Sequence, residues 1–172
     1  MPRQLPIVGQ KPAPPPGSVS APEDPDERPP WHWSGIGAVL VFTAWLPLAL
    51  LSAWLTRVLL DGLVPADARA DVTAFLSAAP TSTQIAVRAA MIVPAAAAFA
   101  VAAAGGGALV GRFGGRAGPR EGAVAGLLAA STAWALTAAA STLASTWALW
   151  FPVAALGTVS AWLGARLGVR RR

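Results

Sequence analysis

The fold of this chain is decided by the stretch IAVRAAMIVPAAAAFAVAAAGGGALV, which covers residues 85–110. Its one charged residue is Arg88, close to its beginning, and the remainder is alanine, glycine and larger apolar residues. A helix rises about 1.5 Å per residue, so about 20 apolar residues cross the roughly 30 Å hydrocarbon core of a bilayer. The stretch therefore predicts a membrane-spanning helix.

Three further apolar segments of similar length lie at 36–60, 122–140 and 149–167. The first contains Pro47, which membrane helices tolerate. Four such segments in 172 residues leave too little polar surface for a soluble helical domain, and only 12% of the residues are charged. We therefore expect an all-α integral membrane protein, in which residues 31–172 form an antiparallel bundle of four transmembrane helices.

Residues 1–30 have a different composition from the rest of the chain. They hold a large share of the 16 prolines and the acidic cluster at 23–27. Apolar residues are too sparse there to offset the entropy lost on ordering the chain. This segment is expected to be a disordered, proline-rich cytoplasmic tail.

The arginines predict the orientation of the bundle, because arginine and lysine in short loops mark the cytoplasmic side. The loop after the second segment and the C-terminus carry Arg112, Arg116, Arg120, Arg170, Arg171 and Arg172. The loop after the third segment carries no charge. Both termini are therefore expected in the cytoplasm, in the inner membrane of a bacterium, with the lipid bilayer rather than nucleic acid as the partner of the basic residues. Other membrane proteins, or further copies of the chain, are the additional partners expected.

Small residues recur every four positions on the second and third segments. Such spacing lets helix backbones approach closely in lipid. Because the connection between these segments is short, we expect the two rows to pack directly against each other. The rows are Ala103, Gly107 and Gly111, and Gly122, Gly126 and Ala130.

Polar residues in the segments suggest local pairings. Arg57 and Asp61 are four residues apart and can pair on one helix face. Ser131 and Thr132 are expected to form hydrogen bonds across helices. Between the first two segments, apolar residues recur at helical spacing and predict a short amphipathic helix over 65–79, ended by Pro80. That helix covers the end of the bundle or docks a partner.

The composition excludes several chemistries. There is no cysteine and one histidine, His32, which rules out disulfides, thiolate sites and multi-histidine metal centres. In the glycine-rich stretch at 105–115, Arg112 and Phe113 follow Gly111, whereas a phosphate-binding loop needs lysine and a hydroxyl residue after that glycine. The segment centres carry no ionisable residue. We expect no catalytic, cofactor-binding or metal-binding residue and no enzymatic activity.

Two functions remain. The first is a structural or accessory role, as a scaffold or as a subunit of a membrane assembly. The alternative is an oligomeric transporter or channel for small solutes, which the weakly apolar helices favour, together with Pro47 and Pro94 as points where a helix can break.

Overall fold

The computed structural model describes residues 31–140 and 147–171, and within these ranges every regular element is a helix. The predicted tail at 1–30 and Arg172 lie outside the described residues. The elements are α1 (His32–Leu63), a 3₁₀ helix (Ala66–Asp71), α2 (Val72–Ala78), α3 (Thr81–Phe113), α4 (Pro119–Ala140) and α5 (Trp147–Val169).

Four of these helices, α1, α3, α4 and α5, are long and apolar enough to cross a membrane, which confirms the prediction of an all-helical protein with four such segments. They differ in length: α1 and α3 contain 32 and 33 residues, whereas α4 and α5 contain 22 and 23. At about 1.5 Å per residue, the first two are about 15 Å longer than the others. α1 continues past its apolar stretch to Leu63, just before Pro65, and α3 begins at Thr81, directly after Pro80. Nothing in the sequence between these prolines and the apolar stretches stops a helix.

Proline does not interrupt the long helices. Pro47 lies inside α1, Pro94 inside α3 and Pro152 inside α5, and each helix continues on both sides of its proline. Pro47 is thus tolerated inside its helix, as expected, and neither Pro47 nor Pro94 is the break that the transporter or channel alternative allowed.

The turn between α3 and α4 is short and tightly made. Gly115 adopts φ +58°, a left-handed conformation that glycine adopts without strain. The backbone N–H of Gly118 donates to Oε2 of Glu121 at 2.7 Å, so a first-turn carboxylate caps the start of α4.

Contacts at glycine positions give the direction of each helix. Along α1 and α3 the contacting numbers run oppositely, because Gly37 meets Val110 and Gly106 meets Val41. Along α3 and α5 they rise together, because Gly107 meets Ala161 and Gly111 meets Ala165. Along α4 and α5 they run oppositely again, because Gly122 meets Ala165 and Gly126 meets Gly157. The beginnings of α1 and α4 and the ends of α3 and α5 therefore lie together, at what we call the basic end.

The interior of the bundle is built mostly from small residues. The buried cluster comprises Val41, Phe99, Ala102, Ala103, Ala129, Ala130, Ala154 and Ala161. Larger apolar side chains face outward, with Leu50 75% exposed and Ile92 65% exposed. This distribution suits a lipid environment, where tight packing rather than exclusion of water holds helices together.

The amphipathic helix expected over 65–79 is present in two parts, the 3₁₀ helix and α2. The division falls at Asp71, whose carboxylate accepts the backbone N–H of Ala74 at 2.9 Å and so begins an α-helix at Val72. The half-buried residues of this stretch are the five apolar ones that share the expected face: Ala68, Val72, Phe75, Leu76 and Ala79.

Candidate functional site

The glycine row of α3 packs against the backbone of α5. A Cβ atom added at Gly107 would overlap the backbone of Ala161, and one added at Gly111 would overlap the backbone of Ala165. The contact is reciprocal, since Gly164 and Gly168 of α5 lie against the backbones of Ala104 and Ala108. Two small-residue rows thus interlock, which brings α3 and α5 into close backbone contact.

The glycine row of α4 packs against the same helix. A Cβ atom added at Gly126 would lie 2.7 Å from Cβ of Ala161, and one added at Gly122 would lie 2.5 Å from Cβ of Ala165. The expected direct pairing of the α3 and α4 rows is therefore wrong at the glycines, because α5 supplies the nearest atoms to both. Ala103 and Ala130, the outermost pair of the two rows, do belong to one buried cluster.

The two ends of the bundle differ in charge. Among the described residues, the basic end exposes Arg112, Arg116, Arg120, Arg166, Arg170 and Arg171, and its acidic residue is Glu121. Two of these guanidinium groups lie over aromatic rings, Arg166 at 5.0 Å from the centroid of Trp162 and Arg112 at 5.5 Å from that of Phe113. The opposite end balances Arg57, Arg69 and Arg88 against Asp61, Asp67 and Asp71.

The charge pairing expected at that opposite end is wrong. Asp61 forms its ion pair with Arg69, at 3.1 Å, and not with Arg57. Arg69 also donates to the backbone carbonyls of Asp61, at 3.0 Å, and Val64, at 3.4 Å. The chain reverses after Val64 and brings Arg69 back to the end of α1. There the Asp61 carboxylate and the two backbone carbonyls hold its guanidinium group. An open groove of about 300 Å³ lies beside this pair and is lined in part by Arg57.

The hydroxyl groups of α4 behave in two ways. Ser131 accepts a hydrogen bond from Nε1 of Trp150 on α5 at 3.3 Å, which confirms the expected interhelical bond. Thr132 instead donates to the carbonyl of Leu128 in its own helix at 2.9 Å, so the expectation for Thr132 is wrong. Thr132 is exposed, and a threonine facing outward satisfies its hydroxyl on the preceding turn.

A groove separates the first turn of α1 from the first turns of α4, at the basic end. It consists of two adjoining hollows of about 430 and 380 Å³ that share Trp31, Ser34 and Val124. One hollow extends along α4 to Leu128 and the other reaches Arg120. We call this the α1–α4 groove.

Sequence reasoning did not identify Ser34, which the structure buries to 6% exposure in the α1–α4 groove. No periodicity marks it, since it lies near the beginning of the first apolar segment. The residues of α5 that receive both glycine rows did carry a signal, because Gly157 and Ala161 repeat the four-residue spacing of small residues. Among the described residues, no group of three or more potential metal ligands comes together.

Comparisons with known proteins give no relative on which to build. No family model, no curated protein and no solved structure matches the chain.

Proposed function

We propose that the chain is a multi-pass protein of a bacterial inner membrane, in which four transmembrane helices form an antiparallel bundle with both termini in the cytoplasm. Its role is structural or accessory, as a scaffold or as a small subunit of a larger membrane assembly. The observation that carries this proposal is the distribution of apolar side chains: alanine and glycine fill most of the interior, and most leucine and isoleucine side chains face outward.

The orientation rests on the charge difference between the two ends. Six exposed arginines against one glutamate at the basic end make it the cytoplasmic side by the positive-inside rule. The opposite end balances three arginines with three aspartates and so does not oppose translocation.

Reporter fusions test this orientation. A reporter enzyme that is active only outside the cytoplasm should be silent when fused after Arg172 and active when inserted after Ser141, a position outside the described residues. A reporter active only inside the cytoplasm is the matched control and should give the opposite pattern at both positions. Activity of the first reporter after Arg172, with silence after Ser141, would contradict the orientation.

The accessory role is supported by what fills the interior. The buried polar side chains among the described residues are Ser34 and Ser52, and the Ser52 hydroxyl donates to the carbonyl of Ala49 at 2.8 Å. Transport paths and intramembrane active sites use ionisable or polar groups at depth. The described interior instead supplies backbone packing between helices.

The second half of α1 offers a surface for such an assembly, because it carries large apolar side chains that face outward. Trp54 is 61% exposed, and Val58 and Leu59 are 47% and 39% exposed. Side chains of this size on an extended helix can contact a further transmembrane helix.

The alternative of an oligomeric transporter or channel is favoured by the weakly apolar composition of α4, with its many alanines. It loses the support expected from Pro47 and Pro94, since α1 and α3 run through both prolines without a break.

Mass measurement of the complex extracted in mild detergent separates the two functions. A stable hetero-complex would support a subunit role. A homo-oligomer that releases no ions or small solutes from liposomes would support a scaffold, whereas a homo-oligomer that releases them would establish the alternative. A monomer without partners would contradict both.

A further inference from the structure

We propose that the α1–α4 groove binds the phosphate headgroup of one anionic glycerophospholipid, with an acyl chain of that lipid lying along α4. This inference rests on the membrane-spanning arrangement proposed above and assigns a ligand to it.

A buried hydroxyl group in the groove has no hydrogen-bond partner among the described residues. Ser34 is 6% exposed and lines both hollows of the groove, and its hydroxyl donates to no other described residue. Buried polar groups in folded proteins almost always have a hydrogen-bond partner. An oxygen atom of a ligand in the groove would supply it.

The charge at the mouth of the groove selects a phosphate. Arg120 is exposed there, and it forms no ion pair with another described residue. A guanidinium group presents donors in a planar fork that matches the oxygens of a phosphate. Glu121 lines the same hollow, and its carboxylate is held at the start of α4, since its Oε2 accepts the backbone N–H of Gly118.

The wall of the groove along α4 fits an acyl chain. Val124 and Leu128 follow Arg120 at intervals of four residues and so lie on one helix face, about 6 and 12 Å further along the axis. They line the groove and are 46% and 45% exposed. A polar mouth that continues into an apolar wall matches a lipid, whereas a free phosphate would use the mouth alone.

The basic end also selects the charge of the lipid. Six exposed arginines and one glutamate give this end a positive potential, which favours a headgroup with net negative charge over one that also carries an ammonium group. We therefore expect phosphatidylglycerol to be retained in preference to phosphatidylcholine.

Native mass spectrometry of the full chain in mild non-ionic detergent tests the site, with the two lipids added separately and matched in their acyl chains. The unmodified protein should retain one phosphatidylglycerol at lower lipid concentration than phosphatidylcholine. Arg120→Gln should weaken this retention about tenfold, since it removes a positively charged donor to the phosphate. Ser34→Ala should weaken it about threefold, since it removes a hydrogen bond from an uncharged hydroxyl group. Arg120→Lys should recover part of the loss.

Arg170→Gln is the matched control, because it removes one arginine from the same end outside the groove. It should change retention less than about twofold, as expected for a charge that contributes only to the general potential. Circular dichroism of each variant establishes that its helices are intact.

Several results would overturn the proposal. Equal retention of the two lipids would do so, as would equal losses from Arg120→Gln and Arg170→Gln. An increase in lipid retention on deleting residues 1–28 would identify that segment as the occupant instead. Failure of the membrane assignment would look different, because the chain would then be recovered in the aqueous fraction of cells before any lipid is added.

Discussion

Gly107→Ala is expected to destabilise the bundle, whereas Gly105→Ala is expected to leave its stability unchanged or slightly raised. The two residues belong to one run of three glycines in α3, so the change in helix propensity is the same at both. Their surroundings differ. A Cβ atom at Gly107 would overlap the backbone of Ala161, but one at Gly105 would meet nothing within 4 Å.

The sign of the Gly107 effect follows from comparing two terms. Alanine improves on glycine inside a helix by about 1 kcal/mol in water. Overpacking of a close contact typically costs about 1–3 kcal/mol, and here the obstacle is backbone, which cannot rotate away as a flexible side chain can. We expect a net loss for Gly107→Ala and a larger one for Gly107→Leu, because α3 and α5 must separate.

Thermal unfolding in one detergent, followed by circular dichroism and by fluorescence of the eight tryptophans, measures this difference. The midpoint should fall for Gly107→Ala and should not fall for Gly105→Ala. Equal midpoints for the two variants would show that α3 and α5 are not in close backbone contact at Gly107.

The positions of the long helices could be predicted, because the length and apolarity of a segment can be read from that segment alone. The segments at 85–110 and 122–140 lie inside Thr81–Phe113 and Pro119–Ala140. The apolar pattern underestimates the length of these helices. An apolar stretch ends where contact with lipid ends, whereas the helix continues until a proline or a capping residue stops it. Pro80, directly before α3, is an example.

The helix against which each row of small residues packs could not be predicted. Four-residue spacing shows that a helix has a face for close packing, but it does not indicate which helix lies against that face. The short connection between α3 and α4 suggested that their rows meet. The structure places α5 against both rows, and Gly157 contacts the backbone of Gly126 and the ring of Phe99. Adjacency along the chain does not decide packing when three helices have small-residue faces.

The α1–α4 groove and the ion pair of Asp61 could not be predicted either, because both depend on contacts made by the folded chain. Ser34 and Arg120 are far apart in sequence and share the groove only because the beginnings of α1 and α4 lie at one end. Arg57 and Asp61 satisfy the spacing for a pair, but Arg69 returns to the same carboxylate from beyond the reversal of the chain. Local rules state which contacts are possible, and tertiary structure selects among them.

Ala161→Leu is expected to be among the most damaging single substitutions in the bundle. Ala161 is fully buried, and its backbone lies against Gly107 on one side while its Cβ points toward the position of Gly126 on the other. Leucine adds three carbon atoms in the direction of α4, and the close contact with α3 prevents α5 from moving back. We expect a loss at the upper end of the overpacking range, about 3 kcal/mol.

The matched control for this substitution is Ala155→Leu, which adds the same atoms to the same helix at an exposed position. It should change the unfolding midpoint little, because the new side chain faces outward. The pair also distinguishes two arrangements of the bundle. If α3 and α4 packed directly through their glycine rows with α5 elsewhere, leucine at position 161 would be tolerated as well as leucine at 155. Since α5 receives both rows in the structure, only Ala161→Leu should lower the midpoint, and equal tolerance at the two positions would contradict the placement of α5.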